Sequence, residues 1–154
     1  MKKKLMMMLL AVSLCLTSVF AVNTQVNAEE IDKEVSYESL LTEDALVGYT
    51  QSQTRGVYLS SGTSIINDAG GGKIGAGGNT TAASKCKVTV NVYVERKVGS
   101  SWVRVTSWTA TNTNALFVTT GKTISVASGY YYRVRCTHYA STDSSSSYTG
   151  ALWM

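Results

Sequence analysis

Between Cys86 and Glu95 the chain alternates without a break. Cys86, Val88, Val90, Val92 and Val94 occupy one parity, and Lys87, Thr89, Asn91, Tyr93 and Glu95 the other. Successive side chains of a strand point to opposite faces, so this pattern predicts a strand with one face in a core and one in water. A second alternation sets Tyr130, Tyr132, Val134 and Cys136 against Tyr131, Arg133, Arg135 and Thr137. Two such strands on either side of several turn signals restrict the chain to antiparallel β architecture.

The remaining elements follow from turn chemistry. Val98-Gly99-Ser100-Ser101 reads as a hairpin turn, with Trp102 to Ala110 as the returning strand. Phe117 to Thr119 and Thr123 to Val126 read as short strands around Gly121-Lys122, and Tyr148 to Trp153 as a closing strand. Val57 to Leu59 and Thr63 to Asn67 are weaker strand candidates. Gly70 to Gly78 reads as a Gly-rich loop, and Ser141 to Ser147 as a low-complexity polar loop. The expected fold is all-β: a single antiparallel β-sandwich over residues 55–154, Ig-like or jelly-roll-like, with a barrel as the alternative.

The N-terminus carries a different signal. Lys2, Lys3 and Lys4 precede an apolar run from Leu5 to Phe20, and Val26-Asn27-Ala28 is a small-x-Ala site followed by Glu29 and Glu30. This order describes a secretory signal peptide over residues 1–28, cleaved after Ala28, rather than a retained span. The expected product is secreted, with no membrane span. Removing 28 of the 154 residues leaves 126, enough for one domain with one core. Residues 29–44 hold seven acidic side chains against Lys33, a net of −6, whereas residues 55–154 hold ten basic against three acidic, a net of +7. Residues 29–54 are therefore read as an acidic leader and linker, with one short helix over Ser36 to Val47.

Loss of Cys15 with the signal leaves Cys86 and Cys136, an even pair in an exported chain. Both share parity with core valines, so a disulfide across the core is expected. The alternative is a thiol enzyme using Cys136 with His138, the lone histidine. Apolar neighbours disfavour it by raising the thiol pKa. Gly70-x-Gly72-x-x-Gly75 matches the dinucleotide fingerprint, with Glu95 at the right distance, but no βαβ unit surrounds it. Only Asp68, Glu95 and Asp143 are acidic in the β domain, too few for paired-carboxylate chemistry. A serine triad would need His138, Asp143 and a serine without a nucleophile elbow. No enzyme activity, cofactor or metal site is expected.

If Val134 and Cys136 face inward, Tyr131, Arg133, Arg135 and Tyr139 face out. On the Trp102 strand, Val103 and Val105 are the expected inward set, which puts Trp102, Arg104 and Trp108 on the other face. These seven residues form the candidate ligand surface. Aromatic rings stack on sugars and guanidinium groups pair with phosphate or carboxylate, so an anionic polysaccharide or glycan at the envelope or beyond is the expected partner. Nucleic acid suits the chemistry but not an exported chain. The competing reading is that the tryptophans roof the core. A bacteriocin-like effector held inactive by its acidic leader is the alternative function.

Three segments carry a resemblance: Arg55 to Ser64, the Val-x-Val-Tyr-Val-Glu-Arg run at 90–96, and Gly-Tyr-Tyr-Tyr-Arg-Val-Arg at 129–135. Together they resemble a family of small secreted proteins of Gram-positive bacteria known only as a domain of unknown function. The resemblance implies a secreted bacterial protein and transfers no site residues.

Overall fold

A computed structural model describes residues 32–50 and 56–154. The signal segment with its cleavage site lies outside the described residues, as do residues 51–55 of the expected linker. Eight strands follow in order: β1 (Asp32–Val35), β2 (Leu46–Tyr49), β3 (Leu59–Gly70), β4 (Lys73–Val98), β5 (Ser101–Ser125), β6 (Tyr131–Ala140), β7 (Asp143–Tyr148) and β8 (Leu152–Trp153). A single 3-10 turn, Glu38–Leu40, lies between β1 and β2. Every strand pairing is antiparallel.

The architecture rests on one long hairpin. β4 and β5 pair from Val98–Ser101 beside the turn to Lys73–Ser125 at the far end. Halfway along, register is lost between Thr81 and Val88, and Asn114 on the partner strand adopts φ 52°. Asn tolerates this left-handed geometry better than most residues. There the hairpin doubles over. The first arm of β4 lies between β3 and β5, giving a layer ordered β1-β5-β4-β3-β2. Its second arm lies between β5 and β6, and β6 carries β7 and β8 on its far side. One continuous sheet thus packs on itself as a sandwich. Ile66, Ile74, Ala76, Val118 and Ile124 of the first layer meet Val88, Val90, Val92, Val94, Tyr132, Val134, Cys136 and Ala140 of the second. Each valine among them is buried, contributing about 1.5–3 kcal/mol relative to exposure.

The acidic segment is part of this sheet. β1 adds to the first layer beside β5, and β2 beside β3. The helix expected over Ser36 to Val47 is reduced to the single 3-10 turn because the segment docks on the sheet instead. Leu40 is buried, while Leu41 is 55% exposed. The Tyr37 and Thr63 hydroxyls hydrogen-bond at 2.7 Å, and the Asn67 amide donates to the Leu40 carbonyl at 3.0 Å. These bonds secure a small second core of Tyr37, Leu40 and Ile65 with Val35, Ala45 and Val47 around it.

Docking also explains the glycines. The expected Gly-rich loop contracts to a turn where Gly70, Gly71 and Gly72 all have positive φ. Gly75 and Gly77 belong to β4, where a Cβ would meet Leu40 at 2.7–2.8 Å. The Gly121-Lys122 turn is likewise absent: Gly121 is buried within β5 under the same leucine. The expected loop from Ser141 to Ser147 is a turn followed by β7. Asp143 fixes its start by accepting the Tyr58 and Leu59 backbone N–H groups at 2.6 and 3.0 Å.

Candidate functional site: an aromatic–guanidinium face

The outer face of the second layer is built on the polar parity of β4. Glu95 lies opposite Arg104 on β5 and Arg133 on β6, and Tyr93 lies opposite Ser107 and Arg135. Tyr148 of β7 continues the row beyond Arg135, and Trp153 of β8 lies opposite Tyr131. Cross-strand neighbours on one face stand about 4.5–5.5 Å apart at Cβ, so these side chains must interact.

Glu95 organises them. It is 7% exposed and accepts two charge-assisted hydrogen bonds, from Arg133 Nε at 2.7 Å and Arg135 Nε at 3.0 Å. Such bonds are about twice as strong as neutral ones. The Arg133 guanidinium carbon lies 4.3 Å from the Trp102 ring centroid and 5.2 Å from that of Tyr148, which places it between two rings. Arg135 lies 4.0 Å from the Tyr93 centroid, and Lys97 6.0 Å from that of Trp102. Tyr131 and Trp153 meet edge to face at 4.8 Å. Lys97, Arg104, Arg133 and Arg135 share this area with one carboxylate, so it is positively charged, with Arg133 and Arg135 held in fixed orientations.

The structure therefore brings together Trp102, Arg104, Tyr131, Arg133 and Arg135. Tyr139 shares the face but stands apart, opposite Thr89 and Ser144 among hydroxyl side chains. Trp108 does not belong. Between Val94–Thr106 and Glu95–Arg104 the register shifts and Val105 is left unpaired, a β-bulge that inverts the parity of everything beyond it. Trp108 consequently sits opposite Val92, packed against the core, with its N–H donated to Thr120 Oγ1 at 3.0 Å. It lines a cleft of about 600 Å³ between the β1 segment and the two arms of β5, together with Glu34, Glu38 and Lys122. Val103 and Val105, expected inside, are 47% and 46% exposed. Tyr93, Glu95, Tyr148 and Trp153 belong to the site and were missed from sequence. The one available signal was Glu95, a lone acid on the outward parity between arginine-bearing strands.

The expected disulfide is absent: Cys86 and Cys136 are free thiols. Cys136 is fully buried in the core as its parity implies, with its thiol facing the Gly77 carbonyl at 3.6 Å. Its β4 neighbour, however, is Val92. Cys86 lies six positions further along that strand, roughly 20 Å away at strand rise, beyond the reach of a bridge that needs Cα atoms within about 7 Å. A register irregularity between Cys86 and Val88 moves Cys86 out of phase as well. Burial pushes the Cys136 thiol pKa strongly up, which opposes a nucleophilic role.

His138 is fully buried between the layers. The Thr80 hydroxyl donates to the Thr89 carbonyl at 3.1 Å, which assigns the Nδ1 proton of His138 to the bond with Thr80 Oγ1 at 2.8 Å. Nε2 then accepts from the Ser147 hydroxyl at 2.8 Å. Burial lowers the imidazole pKa to about 4. The pair has the contact of a nucleophile and its base, but Ser147 is 1% exposed and Asp143 is engaged with the β3 backbone. Among the described residues no group of three or more His, Cys, Asp or Glu is placed to hold a metal ion.

The sequence model of a family described as a family of unknown function, DUF6147, matches residues 26–151. No curated protein matches the chain. Among solved structures, the solution structure of CsgH from R. palustris is similar over 53% of this chain and 83% of that one, with 17% identity and a TM-score of 0.36.

Proposed function

The chain belongs to that family of unknown function, so its role rests on the chemistry of its surface, and we propose that it is a secreted, non-enzymatic β-sandwich that binds an anionic polymer or glycan through the outer face of the second layer. The observation that carries this reading is the preorganised arginine pair: Arg133 and Arg135 are held by both oxygens of one nearly buried carboxylate and flanked by Trp102, Tyr148 and Tyr93. Guanidinium groups fixed before binding lose less side-chain entropy when an anion arrives. The signal-like N-terminus supports an extracellular place of action, at the envelope or beyond.

The other readings have less support. Shedding the acidic leader as a pro-segment would strip two strands and uncover Ile65, which is fully buried under Leu40 and its neighbours. The burial of Cys136 counts against a thiol enzyme. The test is retention of the purified protein on immobilised anionic cell-wall polysaccharide. Retention is expected, weakening as ionic strength rises and at least about tenfold in Arg104→Ala with Trp102→Ala. Equal retention of wild type and this double variant would refute the assignment of the face.

A further inference from the structure

Arg133 and Arg135 are neighbours on one face of β6, two residues apart. Each commits its Nε to Glu95, and among the described residues neither uses its Nη groups on a protein acceptor. Their side chains retain 24% and 27% exposure, so the paired Nη hydrogens are what the face offers to solvent. Two guanidinium edges are thus presented side by side, on backbone positions one two-residue repeat, about 7 Å, apart and with both Nε groups converging on the Glu95 carboxylate. From the structure we infer that the ligand is a phosphodiester polymer whose consecutive phosphates engage Arg133 and Arg135 together. This deepens, and rests on, the reading of the face as an anion-binding surface.

The spacing selects the polymer. Two residues of extended peptide comprise six backbone bonds, which set the strand's two-residue repeat. A phosphodiester chain joined through a three-carbon polyol also repeats every six bonds, so extended stretches of both chains run in step. A polymer with one carboxylate per sugar ring has a different repeat and presents its charges to one arginine at a time. Guanidinium edges also suit phosphate, which accepts two parallel N–H bonds from one fork.

Single-stranded nucleic acid shares the six-bond phosphodiester repeat, but the rings around the arginine pair are already occupied. Base binding needs open aromatic faces for stacking. Here Trp102 and Tyr148 flank Arg133, Tyr93 covers Arg135, and Tyr131 is engaged with Trp153. With the rings committed to the arginines, a phosphodiester chain without bases is the better match.

The experiment measures binding of the purified protein to poly(glycerol phosphate), polygalacturonate and a single-stranded oligothymidylate over a range of salt. Poly(glycerol phosphate) is expected to bind at least about tenfold more tightly than either of the others. Arg133→Gln and Arg135→Gln each leave Glu95 one guanidinium, and each is expected to reduce the salt slope by about 0.7, the loss of one phosphate contact on a flexible strand. Arg133→Lys keeps the charge and the slope but loses the fork, weakening binding about tenfold. Circular dichroism of each variant establishes that it is folded. Equal or tighter binding of polygalacturonate overturns the phosphodiester inference and leaves the anion-binding face standing. Equal or tighter binding of oligothymidylate overturns it in favour of nucleic acid. An unchanged slope in either Gln variant removes the paired contact, and no binding of any polyanion overturns both readings.

Discussion

His138 makes the fold acid-sensitive above the range where ordinary carboxylates titrate. Its pKa is about 4 in the folded protein, against an unfolded value near 6.5, because burial disfavours the charged ring. A depressed histidine pKa means that the unfolded chain binds the proton first. Its stabilising contribution is therefore complete above pH 6.5 and is lost as pH falls toward 4. Between pH 7.5 and 5 the linkage amounts to about 2 kcal/mol, which for a domain of this size lowers the melting temperature by about 8 °C. No charged side chain among the described residues hydrogen-bonds or ion-pairs with the ring; a backbone hydrogen bond at Asn79 favours the charged form but is outweighed by burial. The assay is a thermal melt at half-unit steps of pH, paired with NMR titration of the imidazole, unambiguous because the chain has a single histidine. His138→Gln should be less stable at neutral pH but flat across this window. A native imidazole pKa at or above about 6, or a melting temperature that moves by less than about 2 °C, would refute the reasoning.

Three further outcomes are expected. Cys86 is half-buried and Cys136 fully buried, so an alkylating reagent with peptide mapping should label Cys86 in the native protein and Cys136 only in denaturant; recovery of a disulfide-linked peptide pair contradicts this. Glu95→Ala leaves Arg133 and Arg135 without their shared acceptor and should cost about 2 kcal/mol in urea denaturation, with an unchanged midpoint counting against the role of Glu95 as organiser. Gly77→Ala brings a methyl group to 2.5 Å from the Thr120 carbonyl and 2.8 Å from Leu40, so a loss of about 1–3 kcal/mol is expected by the same measurement.

What was legible in the sequence was whatever alternates in phase. The second arm of β4 and all of β6 show their inner and outer faces directly, and with them the arginines of the site. The first arm of β4 does not, because its glycines are there to admit Leu40 and Cys136, a demand set by side chains distant in sequence. β5 was misread at Val105, where one unpaired residue changed the parity that placed Trp102 correctly and Trp108 wrongly. β7 is four serines between Asp143 and an exposed Tyr148 and has no buried apolar residue of its own. Only Ser147, bonded to His138, and Ser145, inward by register, show that it has an inner side. The cysteines were assigned correctly to the core side in the case of Cys136, but parity carries no information about position along a strand, and a disulfide depends on that position.

The doubled hairpin also implies an order of assembly. Pairing that begins at the Gly99 turn closes the smallest loop first, and each later rung is added at little further entropic cost. The rungs nearest the turn, Val98–Ser101 through Val88–Asn112, belong to the second layer, so the floor of the arginine face is zipped before the first layer exists. β1 can join only when the zipper has reached Gly121 to Ile124, the partners of Val35 back to Asp32. Pulsed hydrogen exchange during refolding should therefore show protection spreading outward from the turn, and β1, the first of the described strands, should be the last to be protected.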